Sequence, residues 1–289
     1  MRFALIDAKR ADYPITVLCR VLDVSRAGYY ASVGRPPSAR EVEDQRLAIL
    51  VRESHERGRR FYGSPRVHLD LARRHRVFVS RKRVIRLMQQ EGLRARIRKR
   101  FKCTTMSDHG QPIAPNLLDR GFKADRPNQR WVGDTTELIT GDGKLYLAAV
   151  IDLFSRFVVG WAVSAVNDRH LTIRALEMAL RRRSPDAGLL HHSDQGSTYA
   201  SEDYRKALTA RGITCSMSRR GNVYDNAAME SWFSTLKSEL GERFDTHASA
   251  KEQLFDYVEV FYNQQRMHSA IGYASPAEFE RAASIRLVA

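Results

Sequence analysis

The sequence has no long apolar run, only three cysteines, and comparatively little acidic charge in its first third. No segment approaches the roughly 18 apolar residues of a membrane-spanning helix, and no signal-peptide pattern opens the chain. Cys19, Cys103 and Cys215 are far apart without any paired spacing, so neither a disulfide framework nor a zinc site is indicated. We therefore expect a cytoplasmic protein with no membrane attachment.

Positive charge is concentrated in the first third of the 289-residue chain. Residues 1–102 hold 26 of the 48 Lys and Arg but only 10 of the 33 Asp and Glu, so the remainder is nearly neutral. A basic module joined to a neutral one favours a polyanion, above all nucleic acid, as the partner of the basic part. A basic surface that is merely solvated is the alternative.

Two helical modules are predicted in the basic part. Residues 14–32 predict a helix, a turn and a second short helix, a pattern typical of a helix-turn-helix but also of any small helical hairpin. A linker containing Pro36 and Pro37 follows. Beyond it, a further helix is expected to begin at Ser80 and to end at Gly92.

The helix that begins at Ser80 has the character of a recognition helix, with apolar and basic residues on different sides. Four apolar residues are expected to face a small core: Val84, Ile85, Leu87 and Met88. Four basic residues are expected on the outer face as candidate DNA contacts: Arg81, Lys82, Arg83 and Arg86. The run from Arg94 to Lys102 contains no acidic residue and adds candidate phosphate contacts: Arg96, Arg98, Lys99 and Arg100.

From about residue 125 the pattern changes to strands alternating with helices. Five strands are predicted, over residues 129–139, 144–152, 156–164, 188–194 and 213–218. Helices are predicted between and after the later strands, over residues 167–183, 201–211 and 225–240. Three antiparallel strands followed by alternating helices and strands indicate an α/β, ribonuclease-H-like domain with a mixed five-stranded sheet and flanking helices.

Three acids lie where such a fold could bring them together. Asp134 is within the first strand, Asp194 ends the fourth, and Glu230 lies in the helix after the fifth. Clustered carboxylates repel one another, so the cluster makes sense if hard cations hold it, and Mg²⁺ prefers oxygen ligands. Two such ions would activate a nucleophile and stabilise the leaving oxygen of a phosphodiester. The pattern therefore predicts phosphoryl transfer.

Other polar residues near these acids allow more than one interpretation. Asp152, also at a strand end, is the rival metal ligand. His191 and His192 are more typical of packing or hydrogen bonding, although a supporting role for His192 stays open. Asp225 and Asn226 directly precede the glutamate helix, where capping is the default role and substrate positioning is the alternative.

Several blocks of the sequence resemble the DDE transposases of bacterial insertion sequences, in the retroviral-integrase superfamily. These are WVGDTT, YLAAVIDLFSRFVVGW, HHSDQGSTY and GNVYDNAAMESWFSTLKSE. More narrowly, the chain resembles the OrfB product of the insertion sequence three family, also through VLDVSRAGYY, YGSPRVH, RKRVIRLM and FYNQQRMHSAIGYASPAEF. The family spacing is matched, since 35 residues separate Asp194 from Glu230 and Lys237 follows seven positions later. Seven positions are close to two helical turns, so Lys237 could hold a DNA phosphate on the Glu230 face.

The resemblance implies a DNA transposase that binds the ends of its own element, cleaves DNA strands and transfers the 3′-hydroxyl. It implies catalytic and metal-binding roles for Asp134, Asp194 and Glu230, with two Mg²⁺ ions for which Mn²⁺ can substitute. It also implies a copy-out, paste-in route, a homo-oligomer on DNA, and an upstream-frame OrfA partner or fusion. Two alternatives are a sequence-specific DNA-binding regulator without catalysis and a ribonuclease-H-like nuclease.

Four segments are expected along the chain: a helix-turn-helix-like segment (1–35), a basic helical DNA-binding domain (40–105), a ribonuclease-H-like integrase catalytic core (125–245) and a C-terminal helical segment (246–289). No His/Cys pattern precedes the core, so a zinc-stabilised domain is not expected there. The last segment contains a polar cluster for which a structural lock and a DNA or subunit contact both stay open: Asn263, Arg266, His268 and Ser269.

Overall fold

The computed structural model describes residues 2–95, 111–220 and 222–288. The chain divides into two compact units, Met1–Arg57 with Val67–Arg94, and Gly58–Arg66 with Ala95–Ala289. None of the helices in the described ranges is long and apolar enough to cross a membrane. The division into four segments stays a prediction.

Six helices occupy the described residues up to position 90: α1 (Arg2–Lys9), α2 (Ile15–Val21), α3 (Arg26–Val33), α4 (Ala39–Arg57), α5 (Ser64–His75) and α6 (Arg81–Gln90). The predicted helical pair within residues 14–32 is confirmed as α2 and α3. Ser25 caps α3, because its side chain accepts the backbone N–H of Gly28 at 3.0 Å. Ile6, Cys19 and Tyr29 form a small core for these first helices.

Helix α6 begins and ends as predicted. Ser80 accepts the N–H of Arg83 at 3.3 Å, and Gly92 takes a left-handed φ of 66° just beyond the helix. Val84, Leu87 and Met88 are buried, as expected. The prediction is wrong for Ile85, which is 37% exposed, because it lies outside the stripe formed by positions three and four apart.

The second unit is built on a sheet of six strands among its described residues: β1 (Arg130–Thr140), β2 (Gly143–Asp152), β3 (Val158–Ser164), β4 (Leu190–Ser193), β5 (Thr214–Met217) and β6 (Arg243–Phe244). Its helices are α7 (Arg169–Arg183), α8 (Ser197–Ala200), α9 (Glu202–Thr209), α10 (Ala227–Glu239), α11 (His247–Phe255) and α12 (Pro276–Val288). Helix α11 continues directly into a π-helical stretch, Asp256–Tyr262.

The strands are ordered β3-β2-β1-β4-β5. Pairing of β1 with β2 and of β2 with β3 is antiparallel, and pairing of β1 with β4 and of β4 with β5 is parallel. The predicted mixed five-stranded sheet is confirmed. Sequence reasoning missed β6, a two-residue strand that pairs with the far end of β1, because two residues are too few to show a period.

Each face of the sheet carries its own apolar layer, because successive side chains of a strand point to opposite sides. Trp131 belongs to the layer under α7 and α9, whereas Val132 belongs to the layer under α10 and α11. Gly160 of β3 lets α7 approach closely, since a Cβ there would lie 2.2 Å from the carbonyl oxygen of Ala175. The sheet edge that carries the predicted acids is therefore held between two helical layers.

Candidate active site

The parallel pairing of β1 with β4 brings two of the predicted acids to the same level. Trp131 pairs with His191 and Val132 with His192. Continuing this register by two residues places Asp134 level with Asp194. Because side chains alternate along a strand, Asp134 shares the face of Val132, which packs under α10, the helix that carries Glu230.

Asp134 is half-buried, and two hydrogen bonds fix its carboxylate. The backbone N–H of Thr135 donates to Oδ1 at 2.7 Å, and the side-chain amide of Asn226 donates to Oδ2 at 2.9 Å. Burial raises the pKa of Asp134 well above its usual range, and the carboxylates of Asp194 and Glu230 raise it further. The pKa of Asp134 therefore responds to the charges of both other predicted acids.

Asp194 directly follows β4 and is held by a tight turn. The backbone N–H of Gly196 donates to Oδ1 of Asp194 at 3.0 Å, and a Cβ at position 196 would lie 2.9 Å from that oxygen. The side chain of Gln195 donates to the carbonyl oxygen of Ser218 at 2.9 Å, which ties the turn to the end of β5. The glycine thus leaves room for the carboxylate, and the turn fixes its place at the strand end.

The capping role predicted by default for Asp225 and Asn226 is wrong. Residues Val223–Asn226 form a 3₁₀ turn, and Asn226 stands at the N-cap of α10 without a side-chain hydrogen bond to the helix. Its amide nitrogen donates instead to Asp134, while Asp225 is taken up by arginine partners. Groups outside α10 have therefore taken the place of the N–H groups of the helix as partners of both side chains.

Asp225 is buried within a positively charged clamp. The backbone N–H, Nε and Nη2 of Arg219 all donate to its carboxylate at 2.9 Å. Asn116 donates to it at 2.9 Å and Arg120 at 3.4 Å. Hydrogen bonding from Arg219 holds the pKa of Asp225 well below its usual range. The clamp fixes the start of the helix that carries Glu230. Sequence reasoning missed it, because Asn116 and Arg120 are over a hundred positions away from Asp225.

The three acids supply the donor chemistry that a hard divalent cation requires, since carboxylate oxygens are preferred ligands of Mg²⁺. Burial is the main cause of the raised pKa of Asp134, and the charges of Asp194 and Glu230 add to it. Across the described ranges, however, no three Asp, Glu, His or Cys side chains are gathered into a ready metal-binding cluster. A cation held by all three carboxylates would therefore need them to lie closer together than they do here.

The two adjacent histidines have hydrogen-bonding partners inside the core. His192 Nδ1 lies 2.8 Å from the hydroxyl of Ser216, and Nε2 lies 3.1 Å from that of Ser218. His191 Nε2 lies 3.0 Å from the hydroxyl of Tyr204. Burial lowers the pKa of His192 to about 4 and that of His191 to about 3. Both imidazoles are thus neutral at physiological pH, and His192 joins β4 to β5 across the sheet.

Asp152, the rival ligand, closes a turn. It is buried and accepts the backbone N–H groups of Asn128 and Phe154 at 2.8 and 3.0 Å. Burial raises the pKa of Asp152 to about 6. Asp152 pairs in register with Trp131, which lies three positions before Asp134 in β1. Its carboxylate oxygens bind the backbone N–H groups of Asn128 and Phe154.

Comparison with known proteins places the chain in a family. Two family profiles described as Integrase core domain match residues 124–223 and 211–276, and one described as HTH-like domain matches residues 42–101. The transposase InsF for insertion sequence IS3A of Escherichia coli (strain K12) is 38% identical over 97% of this chain and 98% of its own length. The chain belongs to the IS3 family of insertion-sequence transposases. The resemblance noted from the sequence, and the integrase-type ribonuclease-H-like fold, are confirmed.

Two further similarities accompany the transposase assignment. An insertion element IS600 protein of Shigella sonnei, described as an uncharacterized 31 kDa protein, is 44% identical over 91% of this chain and 97% of its own length. The HTLV-2 integrase catalytic core domain, solved in complex with magnesium, is 18% identical with a TM-score of 0.43. That similarity covers 54% of this chain and 99% of the integrase domain.

The basic residues predicted to bind DNA differ in their surroundings within the transposase. Arg81 and Lys82 are exposed on α6. Arg83 pairs with Glu43 and Asp44 at 2.8 Å each, and Arg86 pairs with Asp44 at 2.7 Å. These ion pairs hold Arg83 and Arg86 against α4, so part of each guanidinium already binds carboxylates. DNA contact by all four residues of α6 stays a prediction.

The remaining DNA-binding candidates lie elsewhere. Lys237 lies in the last turn of α10, seven positions after Glu230, and is half-buried. Its contact with a DNA phosphate stays a prediction. Four candidates lie outside the described residues: Arg96, Arg98, Lys99 and Arg100.

The C-terminal polar cluster makes internal contacts. The amide of Asn263 extends the sheet edge, because its Oδ1 accepts the N–H of Val158 at 2.9 Å and its Nδ2 donates to the Val158 carbonyl at 3.2 Å. Arg266 binds both carboxylate oxygens of Glu239, and His268 Nε2 lies 3.3 Å from Arg266. These contacts favour the structural lock for the buried members, whereas Ser269 is exposed.

Asp134→Asn is expected to raise the melting temperature in EDTA at pH 8 by about 2–4 °C. The folded state raises the pKa of Asp134, so the stability linked to its protonation is present at low pH and lost as pH rises through the folded pKa. The substituted side chain carries no charge, so the stability that Asp134 loses at high pH is kept. The Oδ1 of Asn226 is buried without a hydrogen bond among the described residues, and rotation of its amide group would let this oxygen accept from the new side chain.

Differential scanning fluorimetry between pH 8 and pH 4 checks this expectation. The gain should shrink as the pH falls toward about 4, because the folded state then holds the proton on Asp134 and about half of the unfolded chains hold it too. Asp186→Asn, which changes an exposed carboxylate, serves as the matched control and should leave the melting temperature unchanged. An Asp134→Asn variant that melts at or below the wild-type temperature at pH 8 would contradict the interpretation that the charged form of Asp134 destabilises the fold.

Proposed function

We propose that Asp134, Asp194 and Glu230 are the catalytic acids with which this transposase cuts and joins DNA at the ends of its element. The observation that carries the proposal is the parallel register of β1 and β4, which sets Asp134 level with Asp194 on the face that packs under α10, the helix of Glu230. The raised pKa of Asp134, to which both other acids contribute, agrees with it. Acids from a strand interior, a strand end and a helix influence one another only because the fold brings them together. Asp225, by contrast, has its charge matched by arginine partners.

In the proposed reaction, the three carboxylates hold divalent cations, preferably two Mg²⁺ ions with Mn²⁺ as a substitute. When bound, these cations activate the attacking oxygen and stabilise the leaving oxygen at phosphorus. Asn226 positions Asp134 through its 2.9 Å hydrogen bond, and the Asp225 clamp positions Glu230. Lys237 holds a DNA phosphate beside Glu230, which restrains the backbone of the substrate.

The chemistry is proposed as two in-line displacements. In the first, water attacks phosphorus at the element end, and the 3′-oxygen leaves and takes up a proton as a 3′-hydroxyl. In the second, that hydroxyl attacks another phosphodiester, loses its proton and displaces a second 3′-oxygen, so this second step conserves the number of phosphodiester bonds.

We also propose that the chain acts in the cytoplasm as a homo-oligomer on DNA, with an upstream-frame OrfA product or fusion as partner.

Incubation with labelled DNA ends and Mg²⁺ tests this function. The substrates are duplexes copied from the DNA that flanks the gene on either side, and the control reaction contains EDTA. The expected result is cut and joined strands in Mg²⁺ only, from the chain alone or with the upstream product added. Cutting without joining would support a nuclease, and DNA that is bound but unaltered in both preparations would support a regulator.

A further inference from the structure

The second unit contains an open cavity of about 570 Å³ beside the catalytic helix α10. One wall is the side of α10 that carries Ser231 and Ser238, and the other walls include Phe61, Arg66 and Arg156. Glu230 and Lys237 are offset from Ser231 and Ser238 by one residue, or about 100° around the helix axis. The cavity therefore adjoins the proposed active site without being part of it.

Three arginines line this space, which we call the arginine cavity: Arg66, Arg156 and Arg266. The charge of Arg266 is matched by Glu239, at 2.8 and 2.5 Å. Arg66 donates to the carbonyl oxygen of Met267 at 3.1 Å and Arg156 to that of Phe122 at 3.3 Å. In the part of the chain that the structure describes, neither of these two guanidiniums has a carboxylate at ion-pair distance, so each retains an unmatched charge.

The imidazole of His268 shows how strongly positive the cavity is. Burial lowers the pKa of His268 well below its usual range, and Arg266, Arg66 and Arg156 lower it further. The imidazole is thus neutral and cannot add to the charge, yet three guanidiniums act on it at once. Two half-buried, unmatched arginines in one concavity are costly unless an anion compensates them.

Two sequence blocks that carry the family resemblance, YGSPRVH and FYNQQRMHSAIGYASPAEF, meet at this cavity. The hydroxyl of Tyr62 donates to the Gln265 carbonyl at 3.1 Å and accepts the N–H of Met267 at 3.0 Å. These bonds join segments more than 200 positions apart and fix Arg66 against the C-terminal block. The proposed chemistry at the acid triad uses neither block.

The lining matches a nucleotide better than a simple anion. Besides the arginines, the cavity is lined by the half-buried Phe122, by the buried Phe61, Trp232 and Tyr262, and by the exposed Ser231 and Ser269. Guanidiniums bind phosphate, and aromatic rings stack on any base. A space of about 570 Å³ is within the range of small-ligand pockets and too small for duplex DNA, so an entering base must be unpaired.

We propose that the arginine cavity binds one unpaired nucleotide of the DNA that the transposase processes, with its phosphate on Arg66 and Arg156 and its base against the aromatic residues. This inference rests on the proposed function, since cutting and joining expose unpaired nucleotides at element ends. It assigns a binding role to the two blocks outside the acid triad.

Anisotropy titrations of the full chain in EDTA test the proposal, with a fluorescein-labelled single-stranded oligonucleotide and a blunt hairpin duplex as the two probes. Arg156→Gln is expected to weaken single-strand binding about tenfold and to lower the slope of log affinity against log salt by about 0.7. Arg156→Lys should retain most of the affinity. Arg130→Gln is the matched control, because Arg130 also donates to carbonyls of the 121–123 segment but does not line the cavity.

A rim substitution separates charge from folding. Ser269 is exposed, so Ser269→Glu and its isosteric control Ser269→Gln should both fold, and only the glutamate variant should lose single-strand affinity, again about tenfold. Affinity for the hairpin duplex should change by less than about twofold in every variant. Equal single-strand affinity for Ser269→Glu and Ser269→Gln, together with an unaffected Arg156→Gln variant, would overturn the proposal.

Crosslinking locates the nucleotide directly. With 5-iododeoxyuridine at an unpaired position beside the element end, irradiation followed by peptide mapping should identify Phe61, Trp232 or Tyr262; crosslinks confined to other segments would overturn the assignment. Thymidine 5′-monophosphate that competes as strongly as the oligonucleotide would assign the cavity to free nucleotides instead. A chain that crosslinks here but never cuts DNA would refute the proposed function alone, whereas a cutting enzyme with no crosslink here would refute this inference alone.

Discussion

Glu230→Gln is expected to reduce strand cleavage and joining by about a thousandfold while leaving affinity for element ends within about twofold of wild type. The amide keeps the size and shape of the side chain but removes the charge that would hold a cation opposite Asp134 and Asp194. Glu230 lies in the first turn of α10 and is half-buried. Gel assays of cut and joined strands, with parallel binding titrations, measure the two effects separately.

A surface acid of the same unit provides the control for this loss. Glu202 is exposed and, among the described residues, forms its ion pair with nearby Lys206, at 2.8 Å, so Glu202→Gln should cut and join DNA at the wild-type rate. Glu230→Gln activity within tenfold of wild type would remove Glu230 from the catalytic set. A parallel loss of DNA affinity would instead indicate that the glutamate supports the fold or the DNA-binding surface.

Glu239→Gln is expected to lower the free energy of unfolding of the second unit by about 3–5 kcal/mol. Glu239 and Arg266 are each only 7% exposed in their side chains. The carboxylate accepts from Nε and Nη2 of Arg266 and from the hydroxyl of Tyr257 at 2.8 Å. An amide cannot balance the guanidinium charge, which would remain unpaired in the interior. Urea unfolding followed by tryptophan fluorescence reports on this unit, because all three tryptophans lie in it.

Removing both charges shows whether the pair or the packing matters. The double substitution Glu239→Gln with Arg266→Met should recover a large part of the loss, because no isolated charge is left buried. A Glu239→Gln variant that loses less than about 1 kcal/mol would mean that water or a nearby group already screens Arg266.

The elements of the second unit could be predicted from the sequence because each carries a strong local period. Alternation in β1 and β2 and the apolar stripe of α7 placed the strands and helices within a few residues. The period also put Asp134 on one face of a strand and Asp194 at the end of another. Register, however, depends on pairing between segments about 60 positions apart, which local patterns do not record.

Predictions that relied on local chemistry alone were wrong where a distant partner competed. Capping is the local optimum for Asn226 and Asp225, yet one binds Asp134 and the other binds Arg219, Asn116 and Arg120. Arg83 of α6 likewise has partners that the sequence does not reveal, two acids of α4, while its DNA contact stays a prediction. A charged hydrogen bond is about twice as strong as a neutral one, so such partners displace local ones whenever the fold brings them within reach.

The sequence by itself determined the family and the order of strands and helices and singled out the three acids as candidates, since these depend on residue identity, spacing and period along the chain. Only the tertiary structure decided that Asn226 positions Asp134, that an arginine clamp anchors the glutamate helix, and that two remote blocks enclose the arginine cavity. Each of these depends on distances between side chains far apart in the chain, and such distances follow from the packing of the sheet between its helices.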